Sequence, residues 1–233
     1  MKIGLLIIAT NKYTDFLYPL IESANKYFLN NHDVTYFVFT NQDLDTIKMT
    51  LKNVRSSDIV VTKVEHKEWP WMTLGRYGIF HNNKDIFNRM DYLYYCDADM
   101  LFVGEVGDEI LSDRVGTTHP GYHNKEMKEI ESNKNSSAYI RKGELKTYFA
   151  GGFNGGLKDE YLKMANILSS NIIEDHRKGI IARWHDESHM NRYFINNPPS
   201  KVLDPGYCYP EGISLSFEKR LLALKKDHKS MQI

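Results

Sequence analysis

Blocks of hydrophobic and polar positions in the first part of the chain predict strands followed by helices. An apolar run from Ile3 to Ala9 is followed by apolar side chains at helical spacing between Phe16 and Phe28. A short continuous apolar run is typical of a strand buried on both faces, and the helical spacing predicts an amphipathic helix that packs on the sheet. The pattern therefore indicates a strand, then a helix.

Three further apolar runs also indicate strands. They are rich in β-branched and aromatic residues and are bounded by turn-prone polar residues: Val34–Thr40, Ile59–Val64 and Tyr92–Cys96. A helical stretch from Leu74 to Phe87 precedes the last of them. This order predicts an α/β fold with a central, mixed but mostly parallel sheet.

The second half of the chain is less regular. Residues 125–146 are polar and charged, which favours a long excursion or mobile loop over a core element. The glycine-rich segment Tyr148–Gly156 is interpreted first as a turn, and a helix is predicted from Lys158 through Asp175. Because neither an internal repeat nor a proline-rich linker is visible, we expect residues 1–233 to form one domain.

Charge and cysteine content narrow the class of protein. Thirty basic and thirty acidic residues cancel, so no global field favours nucleic acid or an anionic membrane, and any phosphate must be held by a local site. Cys96 and Cys208 allow at most one disulfide, which favours a reducing compartment. The first apolar run is too short to span a bilayer, so we expect a soluble, cytoplasmic protein.

The first candidate site is Asp97-Ala98-Asp99, directly after the apolar run Tyr92–Cys96. Ligands of open α/β sheets lie outside the carboxyl ends of strands, and residues two apart on an extended chain share a face. Paired carboxylates there suit Mg²⁺ or Mn²⁺ that also binds phosphate. A solvated turn is the alternative that the triplet alone leaves open.

The second candidate site is the cluster from Trp184 to His189, with two carboxylates and two histidines. It offers a carboxylate to a reacting carbon and an apolar indole face to a sugar. The same pattern suits a helix N-terminus, with Asp186 as the cap and Glu187 in the first turn. The two interpretations are compatible, because helix starts face the ligand edge of such a sheet.

The glycines do not form a known nucleotide-binding motif. The segment from Gly151 to Gly156 lacks the G-x-x-x-x-G-K-[ST] pattern, and no G-x-G-x-x-G follows the first strand. ATPase and dinucleotide-dehydrogenase functions therefore lose support.

Several segments together resemble glycosyltransferase family 6, the family of the blood-group A and B transferases and the α-1,3-galactosyltransferase. They follow the family order over nearly the whole chain: Asp97–Asp99, His119–Tyr122, Ala138–Ile140, Tyr148–Gly156, Trp184–Asn191 and Lys201–Leu203. The resemblance implies a GT-A fold and retaining transfer of N-acetylgalactosamine or galactose. The donor would be a UDP-sugar, and the new bond an α-1,3 linkage to a galactoside or fucosyl-galactoside.

The resemblance also implies roles for individual residues. Asp97 and Asp99 would bind Mn²⁺, or Mg²⁺, against the UDP diphosphate, and Glu187 would act beneath the anomeric carbon. The donor-side residues would be Ile8, Ala9, Thr10, Tyr13, Arg76, Asp97, Ala98, Asp99, Ala150, Gly151, Gly152, Asp186 and Lys226. The acceptor-side residues would be His119, Trp184, His185 and Glu211.

Three further expectations depend on the same resemblance. Small residues at Ala150 and Gly152 leave room for an N-acetyl group, which predicts UDP-N-acetylgalactosamine over UDP-galactose. A tail from Lys225 to Ile233 would close over UDP through Lys226 and Lys229, although glutamine stands at or near the position of a second basic residue, at Gln232. The chain keeps both D-x-D carboxylates and starts at the first strand, which predicts a metal-dependent enzyme of the short bacterial or phage type.

Two other functions remain open. A metal-dependent nucleotide-sugar hydrolase would use Asp97 and Asp99 for metal and Glu187 to activate water. A sugar-binding module without catalysis would keep galactoside binding after Glu187→Gln. Acceptor-independent release of UDP separates the hydrolase from the transferase.

Overall fold

The computed structural model describes residues 1–52, 54, 59–125, 127 and 129–226. In the first part of the chain, strands and α-helices alternate: β1 (Lys2–Ile8), α1 (Leu17–Tyr27), β2 (Asp33–Thr40), α2 (Leu44–Thr50), β3 (Ile59–Lys63), α3 (Trp71–Asn82) and β4 (Tyr92–Cys96). The later elements are β5 (Met100–Phe102), β6 (Arg114–Thr118), β7 (Phe149–Leu157), α4 (Lys158–Arg177), α5 (His185–Asn196), β8 (Lys201–Leu203), β9 (Tyr209–Pro210) and β10 (Leu221–Ala223). Short 3₁₀ helices occupy Asn11–Phe16, Lys84–Phe87, Asp108–Ile110 and Pro205–Cys208.

The central sheet has the strand order β3-β2-β1-β4-β7-β6-β8. Strands β1 to β4 are parallel, whereas β7 runs antiparallel to both of its neighbours, β4 and β6. A smaller sheet has the order β5-β10-β9. The predicted α/β fold with a mixed, mostly parallel sheet is confirmed, and it places the carboxyl ends of β1 and β4 side by side.

Apolar layers cover both faces of the central sheet. Ile3, Leu5 and Ile7 of β1 pack in one layer, with α1, and Leu6 packs in the other, beneath α3 and α4. Successive side chains of a strand point to opposite faces, so a strand covered on both sides must be apolar at every position. This is why the first strand has a continuous apolar run.

The glycine-rich segment was predicted as a turn, and that prediction is wrong. It forms β7, the nine-residue strand between β4 and β6. A Cβ at Gly155 would collide with the ring of Tyr94 and the carbonyl of Leu93. The glycines therefore permit a close approach between paired strands in the middle of the sheet.

Two other predictions need correction. The helix predicted over Leu74–Phe87 begins earlier, at Trp71, ends at Asn82 and is followed by a 3₁₀ turn. The described part of residues 125–146 has neither helix nor strand, as expected, but it is anchored. Ala138 and Ile140 are buried, and the Ser136 hydroxyl donates to Asp175 of α4 at 2.6 Å.

None of the helices in the described part of the chain is both long and apolar enough to cross a membrane. Cys96 and Cys208 are both free thiols. Cys96 is buried in β4, where it packs as an apolar side chain.

Candidate active site

A cleft of about 480 Å³ lies where β1 and β4 end. Its lining comes from the end of β1, from α3 and the segment preceding it, from the end of β4 with Asp97–Asp99, from β7, from the start of α5, and from Lys226. This is the position at which open α/β sheets bind ligands. The tertiary structure therefore brings six segments of the chain to one site.

Most residues that the sequence singled out line this cleft: Ile8, Thr10, Tyr13, Arg76, Asp97, Ala98, Asp99, Gly151, Gly152, Trp184, His185, Asp186, Glu187 and Lys226. Four others do not line it: Ala9, Ala150, His119 and Glu211. Both alanines are buried beside lining residues, Ala9 directly after β1 and Ala150 within β7.

The two D-x-D carboxylates have different surroundings. Asp97 is about a third exposed; its backbone N–H donates to the Gly152 carbonyl at 2.9 Å, and its Oδ1 accepts from the Tyr95 hydroxyl. Asp99 is buried and forms an ion pair with Lys226. Burial raises the pKa of Asp99, the negative charge of Asp97 raises it further, and Lys226 opposes this. A second positive charge would therefore be stabilised between these carboxylates.

Arg76 of α3 connects the acidic groups of the cleft. Its guanidinium is buried, lies 4.1 Å from the centre of the Tyr95 ring, and has Nε 3.1 Å from Oδ2 of Asp186. Its Nη1 donates to the Gly151 carbonyl at 2.8 Å, and its Nη2 lies 3.6 Å from Asp97. One permanently charged group thus compensates two carboxylates of the site.

Glu187 lies in the first turn of α5 and faces β7. Its Oε2 accepts a hydrogen bond from the Gly151 N–H at 2.7 Å. Burial raises the pKa of Glu187 to about 7, against the opposing effects of the Gly151 N–H, Tyr148 and Arg76. Burial likewise raises the pKa of its neighbour Asp186 to about 6. Glu187 can therefore change charge near neutral pH.

The start of α5 matches the predicted helix N-terminus in part. The residue before the helix is Trp184, without a side-chain capping bond, and Asp186 is in the first turn instead of at the cap. Asp186 could not serve as the cap, because its carboxylate turns inward to Arg76. The tertiary ion pair thus replaces the local capping interaction.

Asn191 holds α5 against β7, and sequence reasoning did not single it out. Its Oδ1 accepts from the Phe149 N–H at 2.8 Å, and its Nδ2 donates to the Phe149 carbonyl at 2.9 Å and to the Glu187 carbonyl at 2.9 Å. This side chain therefore sets where Glu187 lies along β7. Nothing in the local pattern distinguishes such an asparagine from a solvated one.

Further lining residues were also missed: His66, Lys67, Glu68, Trp69, Met72, Thr73 and Tyr95. The indole of Trp69 is 63% exposed, and its ring lies 4.9 Å from that of His185. The His66 ring nitrogen Nδ1 lies 2.9 Å from the Thr10 hydroxyl. The unusual Trp-Pro-Trp sequence at 69–71 was a signal that could have drawn attention to this segment.

The four predicted acceptor-side residues are not all together. Trp184 and His185 line the cleft, and the Trp184 indole is 38% exposed, with its Nε1 donating to the Glu129 carbonyl at 2.7 Å. His119 does not line the cleft: its ring packs 5.6 Å from the ring of Tyr148, and burial lowers its pKa to about 4. Glu211 instead accepts from the Lys225 N–H at 2.7 Å, so it holds the segment that leads to Lys226.

The predicted tail is described only as far as Lys226. Its ammonium lies 4.8 Å from the centre of the Tyr13 ring, besides its ion pair with Asp99. Lys229 and Gln232 lie outside the described residues. A basic group thus lines the cleft, next to the acidic pair.

A side chain at Gly152 would crowd Asp97, whereas one at Gly151 would reach ordinary contact distance from Glu187. A Cβ at Gly152 would lie 3.0 Å from Oδ2 of Asp97 and 3.4 Å from the sulfur of Met100. A Cβ at Gly151 would lie 3.4 Å from Oε2 of Glu187. The glycines therefore let both carboxylates approach the same stretch of β7.

The amino-acid sequence that forms this cleft matches a known protein family. Residues 1–233 match the model of glycosyltransferase family 6. The chain is 35% identical to histo-blood group ABO system transferase 1 of Rattus norvegicus, over 99% of the chain and 68% of that protein. It is 33% identical to globoside alpha-1,3-N-acetylgalactosaminyltransferase 1 of Gallus gallus, over 91% of the chain and 62% of that protein. It is 28% identical to the O-antigen biosynthesis glycosyltransferase WbnI of Escherichia coli, over 99% and 97%.

Proposed function

Since the chain belongs to glycosyltransferase family 6, we propose that it is a retaining α-1,3-N-acetylgalactosaminyl- or galactosyltransferase. Membership makes it a hexosyltransferase that uses a nucleotide-sugar donor and a glycan acceptor. The proposal adds that residues 1–233 are one GT-A catalytic domain, that the donor is a UDP-sugar, and that the acceptor ends in galactose with or without fucose.

One observation carries the chemical part of the proposal. The Glu187 carboxylate lies on the Gly151 N–H, and Asp97 lies against the next residue of the same strand. A carboxylate there can stabilise the positive charge that develops at an anomeric carbon. Because Gly151 and Gly152 carry no side chains, a sugar can approach both groups closely.

The acidic pair suits a divalent cation by its chemistry. Oxygen ligands suit Mn²⁺ and Mg²⁺, and Mg²⁺ is often bound by one or two carboxylates, with substrate phosphates and waters as its other ligands. Asp97 and Asp99 supply two carboxylates, and in the described part of the chain no group of three or more His, Cys, Asp or Glu side chains could hold a metal alone. Bound there, the cation would stabilise the negative charge on the departing UDP. Lys226 adds a positive charge at the same place.

Two observations support the choice of donor sugar: the small residues of β7 and the activity for which a relative is named. The chicken relative is named as an N-acetylgalactosaminyltransferase, and Gly152, which lines the cleft, has no side chain, while Ala150, buried nearby in β7, has only a methyl group. We therefore propose UDP-N-acetylgalactosamine in preference to UDP-galactose.

The acceptor side is proposed from the exposed indole of Trp184. Its ring is fixed by the hydrogen bond to the Glu129 carbonyl, so the open face is held at the rim of the cleft. The apolar face of a galactose can pack on such a ring. The reacting hydroxyl would then approach the site from the side of Glu187.

The decisive experiment is a donor and acceptor panel with the purified full chain. UDP-N-acetylgalactosamine and UDP-galactose are each incubated with Mn²⁺ and with lactose, fucosyl-galactose or no acceptor, and products are read by mass spectrometry. The expected result is an added hexosamine on a galactoside acceptor, with little UDP released when no acceptor is present. Rapid release of UDP without acceptor would favour a hydrolase, and no reaction with any donor would refute the proposal.

Two variants make the panel specific. Glu187→Gln should lose transfer, whereas Glu174→Gln should keep it, because Glu174 is exposed on α4 and pairs with Lys178 away from the cleft. The linkage of the product is assigned by nuclear magnetic resonance.

A further inference from the structure

A β-bulge in β7 shapes the side of the strand that faces Glu187. Adjacent residues of β6, Gly116 and Thr117, pair with Asn154 and Ala150, so residues 151–153 of β7 have no partner on β6. Such bulges release backbone groups from the ladder and re-aim them, and they are common beside active sites. The released groups include the Gly151 N–H that donates to Glu187.

Two carbonyl groups of this bulge, those of Gly151 and Phe153, accept hydrogen bonds from side chains. The Gly151 carbonyl accepts from Arg76 Nη1 at 2.8 Å and from Asn154 Nδ2 at 3.0 Å. The Phe153 carbonyl accepts from the Thr117 hydroxyl at 2.8 Å. Gly151 is therefore fixed on both sides, by its carbonyl to Arg76 and Asn154 and by its N–H to Glu187.

Asn154 is fully buried, and half of its amide is left without a partner. Its Oδ1 accepts no hydrogen bond from the residues that the structure describes. Turning the amide over would only place an oxygen against the Gly151 carbonyl, so the orientation is determined by that carbonyl. A buried unpaired acceptor lowers stability, and a side chain kept at such a cost is a candidate for a functional role.

From this arrangement we propose that Asn154 is a positioning residue for Glu187. Its amide holds the Gly151 carbonyl across the bulge, and this keeps the Gly151 N–H on the Glu187 carboxylate. Asn154 pairs with Tyr95 of β4, whose ring lies under the Arg76 guanidinium, so both donors approach Gly151 from one side. Asn154 itself does not line the cleft. The inference rests on the proposed role of Glu187.

The variant Asn154→Leu tests whether Asn154 positions Glu187 or only stabilises the fold. Leucine has the same branching at Cγ as asparagine and removes the unpaired acceptor, while Arg76 still donates to Gly151. We therefore expect Tm to stay the same or to rise by up to about 4 °C. At the same time kcat should fall about tenfold, the size of one lost hydrogen bond, with KM for donor and acceptor little changed.

The matched control is Thr117→Val, which removes the side-chain hydrogen bond at the Phe153 carbonyl of the bulge. It leaves the Phe153 carbonyl with one donor fewer and does not touch Gly151. Tm should therefore fall by about 2–4 °C, while kcat stays close to that of the wild type.

A double-mutant cycle tests whether Asn154 acts through Glu187. In a Glu187→Gln background the further change Asn154→Leu should reduce the residual activity much less than tenfold, because the carboxylate it positions is already gone. An equal fold-loss in both backgrounds would overturn the proposal. So would a normal kcat in Asn154→Leu, or a loss of folding in both Asn154→Leu and Asn154→Ala.

Amide hydrogen exchange supplies a readout that needs no activity. Exchange of the Gly151 N–H should become about tenfold faster in Asn154→Leu, with little change at the Phe149 N–H, which Asn191 holds separately. Unchanged protection of Gly151 would overturn the inference. Since exchange is measured on the unreacted protein, it also separates this inference from the proposed function, which fails if the wild type transfers no sugar.

Discussion

Replacing Glu187 by glutamine should make the protein more stable and at the same time nearly inactive. The side chain keeps its shape, and its amide oxygen can still accept from the Gly151 N–H at the position that Oε2 occupies. Only the negative charge is lost. The variant therefore separates the effect of the charge from that of the hydrogen bond.

The size of the stability effect follows from the pKa of Glu187. Burial raises it from the ordinary value of 4.5 to about 7 in the folded protein. At 1.36 kcal/mol per pKa unit, ionising Glu187 costs the folded state up to about 3 kcal/mol. For a chain of this length such a change corresponds to about 6–12 °C in Tm.

The pH dependence gives the direction of the effect. The neutral carboxyl group contributes its full stability below pH 4.5, and this contribution is lost as the pH rises through about 7. Glutamine does not ionise. The stability gained by Glu187→Gln should therefore be smallest below pH 4.5, grow between pH 4.5 and 7, and level off above that window.

The assay compares denaturant and thermal unfolding of the wild type and Glu187→Gln at pH 5 and pH 8, together with kcat. We expect kcat to fall at least about 100-fold, because the charge acts on the transition state, with little change in KM for the donor. Identical pH dependence of stability in the two proteins would refute the burial argument. An ordinary kcat would show that Glu187 does not act at the anomeric carbon.

Four further outcomes are expected. For the wild type, kcat/KM should rise with pH through about 7 as Glu187 ionises, and a flat profile from pH 6 to 8 would contradict this. EDTA should abolish transfer, Mn²⁺ should restore it, and Asp99→Ala should be nearly inactive; full activity in excess chelator would refute the metal proposal. Gly152→Ala should lower kcat/KM for both donors, because the added Cβ would lie 3.0 Å from Asp97. It should also disfavour the N-acetylated sugar relative to galactose by about 1–3 kcal/mol. A wild type that prefers UDP-galactose would contradict the donor proposal. Lys226→Ala should weaken UDP binding in calorimetry, and equal affinity would count against a role of the tail in holding the diphosphate.

Much of the fold could be predicted because its signals are local. The run Tyr92–Cys96 coincides with β4, and the helix predicted from Lys158 through Asp175 is α4, Lys158–Arg177. A strand buried on both faces must be apolar throughout, and an amphipathic helix must repeat with its own period, so both patterns are visible in a short window. Asp97 and Asp99 were found for the same reason, since the end of such a strand is itself a local feature.

The sequence by itself thus determined the α/β alternation, the acidic pair at the sheet edge and the family resemblance. Only the tertiary structure decided that Tyr148–Gly156 contains a bulged central strand. Its glycines are required by the close approach of the neighbouring strands, and not by a turn in the segment itself. The tertiary structure also decided that Arg76, Gly151 and Glu187 meet, since each contact joins distant parts of the chain. Pairing of this kind depends on strand register and on buried polar partners, which the spacing of residues along one chain does not record.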